Sequence, residues 1–259
     1  MRKFLRPRSG FHQVLHTLDE DGVQRVLGRG EDLIVHHARR HAPPAGQGDI
    51  ARAVIEGATG IGLVDGRYED VPAPWHKEIL WAMQNGVAVL GGASLGALRA
   101  MECAPFGMIG VGEVYRRYAS GELVDDSDVA QLHGPEGLGC LPLTEAFVNV
   151  EATIRNAEIH GEFTRERAER LVAAARAIFF KELTLDALAA RSEPDPAARQ
   201  NLIDALSRYH VDRKREDALE LARRLSQLPD ARSTSPPPWD LATPTIWRHF
   251  LASLASPSG

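Results

Sequence analysis

Short, mostly apolar runs that alternate with helical segments constrain the fold of this chain most strongly. The runs cover residues 33–35, 59–64 and 87–90, and helical patterns follow over 49–56, 75–84 and 94–102. Strands that are apolar throughout, rather than at every second position, are typical of parallel sheets buried on both faces. The alternation therefore predicts an α/β fold, with a parallel sheet, helices on both faces and a Rossmann-like core.

The first and middle parts of the chain give further, weaker assignments. We expect short helices over 11–18 and 23–27, a loop over 41–48, a helix capped by Asp49, a glycine-rich connector over 107–112, a helix over 113–119 and one more strand over 129–133. These assignments complete an α/β core that we place at residues 1–150.

From Thr144 onward the sequence is rich in helix-forming residues. Helices are predicted over 164–180, 197–209 and 213–226, followed by a proline-rich linker over 233–238. A last helix over 245–255 carries Ile246, Phe250 and Leu254 on one stripe, which should dock on another surface. We therefore predict a helical C-terminal region over 151–259.

Composition excludes several classes of protein. The 259 residues carry a formal net charge of −5, which argues against a nucleic-acid binder. Cys103 and Cys140 are too few for a disulfide-stapled secreted scaffold. The basic N-terminus lacks a following apolar core, and the uncharged stretch 79–98 contains Gln84, Asn85 and four glycines, so neither a signal peptide nor a membrane span is predicted. We expect a soluble cytoplasmic protein.

The most specific local motif is the G-x-S-x-G pattern of residues 92–96, placed between a predicted strand and a predicted helix. In that position small neighbours allow a sharp turn, so that Ser94 stands at the sheet edge beside the N–H groups of the helix N-terminus. Ser94 is then a candidate nucleophile. The alternative is that Ser94 only caps the helix.

Candidate partners for Ser94 lie at the same predicted edge of the sheet. His76 and Lys77 begin the preceding helix, and a desolvated Lys77 could act as the base of a Ser–Lys pair; otherwise Lys77 is solvated or pairs with Glu78. Asp65 ends its strand there. Arg99 and Glu102 are spaced i, i+3, so Arg99 could hold a carboxylate or form an ion pair with Glu102.

No metal or cofactor site is predicted. His36, His37 and His41 have no third ligand nearby in the sequence, and the acidic turn at Asp125, Asp126 and Asp128 is typical of a solvated loop, although it could bind Mg²⁺. The glycine-rich segments match neither a dinucleotide fingerprint nor a P-loop. The absence of a C-x-x-C motif argues against a thiol relay.

Six ordered motifs between about Pro43 and Val150 resemble the TfuA-like family. They are Pro43-Pro44 with Gly48-Asp49, then residues 64–68, 75–80, 93–100 and 106–112, and finally Val129-Ala130 with His133-Gly134-Pro135. The strand and Gly-Pro-Ser-like loop with which the family usually opens are not found in residues 1–42, and the helical C-terminal part carries no motif of the family.

The resemblance implies a partner of YcaO enzymes in the modification of ribosomally made peptides or proteins, where an amide oxygen is replaced by sulfur to give a thioamide or sulfur heterocycle. The TfuA-like protein would cleave the thiocarboxylate of a ubiquitin-like sulfur carrier and release sulfide; a precursor peptide is a further partner. In this hypothesis Ser94 is the nucleophile or positions water, Lys77 is its base, and Arg99 holds the carrier's carboxyl group. Asp65, Glu102 and His133 would orient these groups, and His76 is a further candidate site residue beside Lys77.

Two other functions remain open at this point. The protein could be a non-catalytic docking or allosteric subunit that presents the carrier or the peptide to the YcaO enzyme. It could also be a serine esterase of the α/β-hydrolase type, because Asp125 and His133 follow Ser94 in the order of a catalytic triad.

Overall fold

The computed structural model describes residues 11–15, 39–42, 44–65, 72–134 and 142–255. Within these ranges, five strands form one sheet in the order β2-β1-β3-β4-β5, and every neighbouring pair is parallel. The strands are β1 (Phe11–Leu15), β2 (Arg39–Ala42), β3 (Ala58–Leu63), β4 (Ala88–Gly92) and β5 (Ile109–Val111). The predicted parallel sheet is confirmed, and its strand order is one of the common orders of open doubly wound sheets.

Helices cover both faces of this sheet. They are α1 (Asp49–Glu56), α2 (His76–Gln84), α3 (Leu95–Cys103) and α4 (Gly112–Ser120), joined much later in the chain by α9 (Arg213–Ser226). Ile61 and Val89 share one apolar core with residues of α1, α2 and α3. Leu90 packs in a second core with Leu221 and Leu225 of α9. The predicted α/β fold class is therefore confirmed.

The remaining helices are α5 (Phe147–Ile159), α6 (Arg165–Arg176), α7 (Leu185–Ser192), α8 (Pro196–Arg208) and α10 (Thr245–Ala255). Helices α5 to α8 share one apolar core that includes Phe147, Leu171, Leu188 and Leu206. Side chains of Thr164, Thr184 and Asp195 accept backbone N–H groups at the starts of α6, α7 and α8, as helix N-caps do. The predicted helical character of this part of the chain is thus confirmed.

The chain divides into two compact units. Unit 1 consists of residues 1–119 together with 217–259, and unit 2 consists of residues 120–216. The predicted division into domains at 1–150 and 151–259 remains a prediction about how the chain folds. In the structure, residues 120–150 belong with the helical unit, and residues 217–259 belong with the α/β unit.

Several assignments of single elements are wrong, because pairing within the sheet outweighs local sequence pattern. Residues 11–15 form β1 rather than a helix, residues 41–42 belong to β2 rather than a loop, and the glycine-rich connector contains β5. The predicted strand at 129–133 is reduced to an isolated antiparallel bridge between His133 and Pro142. The run 33–35 and the predicted helix at 23–27 lie outside the described residues.

The segment after α9 is attached to unit 1, although it was predicted as a linker. Arg232 donates hydrogen bonds to the carbonyl oxygens of Val54 and Ala58 at 2.6 and 2.8 Å. The N–H of Ser233 donates to the carbonyl of Gly86 at 2.8 Å. The segment 233–238 contains no helix or strand, yet these bonds fix its start on the sheet unit.

Helix α10 packs on the outer side of α1 and α2 through aromatic residues. Trp247 is fully buried, and its ring lies 6.1 Å from that of Trp81 and 5.3 Å from that of Phe250. The predicted stripe therefore docks through Phe250 and Leu254, whereas Ile246 is 70% exposed and Trp247 takes its place. Within the described ranges, no helix has the length and apolar character needed to cross a membrane.

Candidate functional site

Ser94 stands in the turn between β4 and α3, at the carboxyl edge of the sheet. It occupies the N-cap position of α3, but its side chain makes no capping hydrogen bond, and the residue is only 4% exposed. The preceding Ala93 has φ of 66°, a left-handed conformation that is strained for a residue with a Cβ atom. Ser94 therefore occupies the cap position without the side-chain hydrogen bond that a capping serine usually makes.

Glycines make the Ser94 turn sterically possible. A Cβ atom on Gly96 would lie 1.8 Å from the carbonyl oxygen of Leu63, and one on Gly91 would lie 2.1 Å from the carbonyl oxygen of Gly96. A Cβ atom on Gly92 would lie 2.6 Å from the carbonyl oxygen of Val111. These close approaches seat the start of α3 directly on the ends of β3 and β4.

The backbone N–H groups around Ser94 are largely committed within the protein. Those of Ser94 and Gly96 donate to the carbonyl oxygen of Val64 at 3.2 and 3.1 Å, and that of Ala97 donates to the carbonyl oxygen of Ser94 at 2.8 Å. The N–H of Leu95 takes no part in these bonds. If the residues after Ser94 form an oxyanion hole, the N–H of Leu95 is therefore the backbone group that is left to donate to it.

Lys77 is directed toward the C-terminal helix. Its Nζ atom lies over the ring of Trp247, 5.9 Å from the ring centroid. A cation over an aromatic face is attracted by the ring quadrupole, so this contact holds the Lys77 side chain against α10. The structure gives no hydrogen bond between Lys77 and Ser94, both of which it describes, and the role of Lys77 as a base stays a prediction.

Three of the predicted site residues meet in one cluster. His76 Nε2 lies 2.7 Å from Glu102 Oε2, and Arg99 Nη1 donates to the same oxygen at 2.7 Å. Arg99 Nε also donates to the carbonyl of Pro74 at 3.3 Å, and the Arg99 side chain is only 16% exposed. Burial opposes ionisation of Glu102, yet Arg99 and His76 together hold the pKa of that carboxyl below its ordinary value.

The other two predicted residues are Asp65 and His133. Asp65 follows the end of β3 and is 7% exposed, and its carbonyl accepts the N–H of Ala45 at 3.1 Å. His133 belongs to unit 2, where it bridges to Pro142. The structure therefore brings together His76, Arg99 and Glu102 and places Ser94 and Asp65 at the ends of adjacent parallel strands.

Sequence reasoning missed Glu78, which is fully buried. Its Oε1 atom accepts the N–H groups of Gly48 and Trp75 at 3.0 and 3.1 Å, and its Oε2 atom accepts those of Gly48 and Ala51 at 2.9 and 3.3 Å. Burial is the main cause that raises the pKa of Glu78 above 4.5. Asp49 had been predicted as the cap of α1, but Gly48 holds that position and Glu78 supplies the acceptor.

Asp217 of α9 likewise accepts backbone N–H groups at the start of another helix. It is 3% exposed, and its two carboxylate oxygens accept the N–H groups of Glu113 and Val114, each at 2.8 Å. Gly112 makes room for it, since a Cβ atom there would lie 2.2 Å from the Asp217 carboxyl carbon. The start of α4 is therefore capped by a carboxylate from a distant part of the chain.

Cys103 is the cysteine that the structure describes, and it is buried. Burial raises the pKa of the Cys103 thiol to about 11, which keeps it protonated at neutral pH. Cys140 lies outside the described residues. Among the described side chains, no group of three or more His, Cys, Asp or Glu is arranged to hold a metal ion.

The motifs that carry this geometry match a known protein family. The family model described as TfuA-like protein matches residues 65–184, from the end of β3 to the start of α7. The chain carries a TfuA-like domain. The comparison with curated proteins gives no match.

The TfuA-like match spans Ser94 and all the other predicted site residues, from Asp65 to His133. The match includes Glu78. It continues past residue 119, where the first segment of unit 1 ends, into unit 2. TfuA-like proteins are associated with YcaO partners, so the chain is related to TfuA/YcaO systems.

Proposed function

We propose that this protein supplies sulfur to a YcaO enzyme, by cleaving the thiocarboxylate of a ubiquitin-like sulfur carrier and releasing sulfide. The sulfide is used by the YcaO enzyme to form a thioamide or a related sulfur heterocycle in a ribosomally made peptide or protein. The observation that carries the proposal is Ser94, the N-cap residue of α3, which is held in a strained strand-to-helix turn within the TfuA-like match and makes no side-chain capping hydrogen bond.

The chemistry is an acyl transfer with sulfide as the leaving group. The Ser94 hydroxyl adds to the thiocarboxylate carbon and gives its proton to a base, the C–S bond breaks, and water then hydrolyses the acyl-serine to release the carrier carboxylate. If Ser94 instead positions a water molecule, that water adds directly. In both routes water provides the new oxygen and no oxidant is needed.

The distribution of charge at the sheet edge supports Ser94 as the place for an anionic group. Glu78 already accepts N–H groups at the starts of α1 and α2, and Asp217 does so at the start of α4. The start of α3 instead faces the uncharged carbonyl of Val64. The dipole at the start of α3 favours an anionic group such as a thiocarboxylate beside Ser94.

Two groups at the start of α2 are candidates for the base. Lys77 was assigned this role from the sequence, and its Nζ atom lies over the ring of Trp247. His76 is hydrogen-bonded to Glu102, and a carboxylate partner is the usual means of orienting a histidine base. We retain both residues in the proposal, and the variants below separate them.

Arg99 would hold the carboxyl end of the carrier. Its Nε and Nη1 atoms are bound to Pro74 and Glu102, while Nη2 takes no part in these contacts. Because a guanidinium can bind two acceptors on different edges, Arg99 can add a bond to the thiocarboxylate while Glu102 keeps it in place. Asp65 would orient the groups at the end of β3, and the orienting role of His133 stays a prediction from the sequence.

The experiment is to mix the protein with a thiocarboxylated carrier and measure sulfide, first alone and then with the variants Ser94→Ala, Lys77→Ala and His76→Ala. Loss of Ser94 should lower sulfide release by about 100-fold or more. The base should show a comparable loss, and the other α2 variant should show a clearly smaller one. Arg116→Ala, which removes an exposed ion pair, is the control for surface charge.

A non-catalytic docking or allosteric role is the second candidate. It is favoured by the aromatic surface of α10, which shows that α1 and α2 can accept an amphipathic helix. In that case neither the wild type nor Ser94→Ala would release sulfide on its own, and addition of the YcaO partner would be needed to see any effect. A serine esterase would instead cleave a simple activated ester with no carrier present.

A further inference from the structure

We propose that Glu78 is a positioning residue of the candidate site, which fastens the start of α1 to the start of α2 and thereby fixes Asp65 and His76. The inference rests on the proposed function for its activity readout. Glu78 does not touch the reacting atoms in this proposal. It acts through backbone N–H groups on two elements that both begin at the carboxyl edge of the sheet.

The two carboxylate oxygens of Glu78 accept hydrogen bonds from the starts of two different helices. Oε1 accepts the N–H of Trp75, the residue directly before His76, at 3.1 Å. Oε2 accepts the N–H of Ala51 in the first turn of α1 at 3.3 Å. Both oxygens accept the N–H of Gly48, so the carboxylate bridges the two helix starts.

The loop that precedes α1 carries this constraint to Asp65. The N–H of Ala45 donates to the carbonyl of Asp65 at 3.1 Å, and the N–H of Gln47 donates to the carbonyl of Pro72 at 2.7 Å. Glu78 holds the end of the same loop at Gly48. The backbone at Asp65, at the end of β3, and the approach to His76 are therefore tied to one carboxylate.

The cover over this carboxylate is aromatic and aliphatic. A Cβ atom on Gly48 would lie 3.1 Å from Leu254, and the ring of Trp75 lies 5.2 Å from that of Phe250. Helix α10 thus packs on two of the three residues that donate to Glu78. The nearby carboxylate of Asp49 acts on Glu78 through its negative charge.

Glutamine at position 78 is the informative substitution, because it keeps the size of the side chain and removes one acceptor. An amide has one oxygen and one NH₂ group, so it can accept from Trp75 or from Ala51, but not from both. The bridge between the helices is then broken on one side. Aspartate is shorter by one methylene and should fail to reach both partners.

The test measures backbone amide exchange at Ala51 and Trp75 in the resting protein, together with kcat and KM for sulfide release. In Glu78→Gln we expect protection to fall at one of these two amides, kcat to fall about 10- to 100-fold, and KM to change by less than about twofold. Glu78→Ala should lose protection at both amides. Ala82→Gly destabilises the same helix without touching the carboxylate, and it serves as the control matched for thermal stability.

Unchanged amide protection in both Glu78 variants would overturn the proposal, and so would an equal loss of kcat in Ala82→Gly. The exchange measurement needs no substrate. If the wild type releases no sulfide, the proposed function fails, while the exchange result still decides whether Glu78 fastens the two helices.

Discussion

At the scale of single residues, the position of Ser94 depends on neighbouring residues that have no Cβ atom. Ser94 reaches its position because Gly91, Gly92 and Gly96 have no Cβ atom to separate α3 from the strand ends. The strained φ of 66° at Ala93 is held by this packing. The geometry of the serine turn is therefore set by its neighbours rather than by the serine itself.

Gly96→Ala is expected to damage both stability and activity. The added Cβ atom would overlap the carbonyl oxygen of Leu63, so the start of α3 must shift, at a cost of about 1–3 kcal/mol in the free energy of unfolding. Urea unfolding and sulfide release measure the two effects. Gly161→Ala is the control: it has a positive φ but open space around it, so it should lose about 1 kcal/mol and keep its activity.

The pH dependence of stability should reveal Glu78. Burial raises its pKa above 4.5, so the folded protein binds this proton more tightly than the unfolded chain does. The stabilisation from protonation is present in acid and is lost as the pH rises through the folded pKa. As the pH is lowered from neutral to mildly acidic, the free energy of unfolding of the wild type should therefore increase relative to that of Glu78→Gln. If urea unfolding shows a difference between the wild type and Glu78→Gln that does not change with pH, the raised pKa of Glu78 is contradicted.

Residues also show where sequence reasoning succeeds. The motif around Ser94 could be found because strand, turn and helix each leave a local pattern. Glu78 could not, because next to Lys77 it looks like half of a surface ion pair. Its burial depends on Gly48, thirty positions away, and on α10. Asp217 was missed for the same reason, since its partners lie in α4.

At the scale of elements, the sheet and its helices follow from pattern wherever strands are buried on both faces. Strand β3 is buried along its whole length, which explains why its run could be recognised. Strand β5 has three residues, with Ile109 exposed and Gly110 pressed against Tyr115, so it leaves no apolar run to detect. Short edge strands are defined by their neighbours, and single sequences rarely reveal them.

The C-terminal helix offers a matched pair of substitutions. Trp247→Ala should lower the free energy of unfolding by about 3–5 kcal/mol, because it empties a fully buried site beside Trp81 and Phe250. Ile246→Ala, at the neighbouring position, should change it by less than about 0.5 kcal/mol, since that side chain is 70% exposed. Equal losses in chemical denaturation would mean that α10 does not dock through Trp247.

At the scale of the whole molecule, unit 1 is built from two separate stretches of the sequence. Residues 217–259 return to the sheet after the 97 residues of unit 2. They supply Asp217 at the start of α4, Arg232 at the carbonyl oxygens of Val54 and Ala58, and Trp247 on α2. No local sequence pattern indicates which surface this segment contacts, because the contacts join residues more than one hundred positions apart.

Removal of the returning segment should disrupt the sheet unit. We expect a chain that ends at residue 216 to lose the slow amide exchange of β3 and β4, because α9, Arg232 and α10 no longer cover the sheet. A chain that ends at residue 255 keeps all the described contacts and should retain that protection. Full protection of β3 and β4 in the shorter chain would show that residues 1–119 are stable without it.

The discontinuity of unit 1 has a consequence during synthesis. A ribosome makes the chain from the N-terminus, so β3, β4 and the Ser94 turn emerge long before Asp217, Arg232 and Trp247 are translated. The helical unit can fold during this time, whereas part of the apolar surface of the nascent sheet stays uncovered until residues 217–259 have been synthesised. Such an interval is when a molecular chaperone would be most useful to this polypeptide.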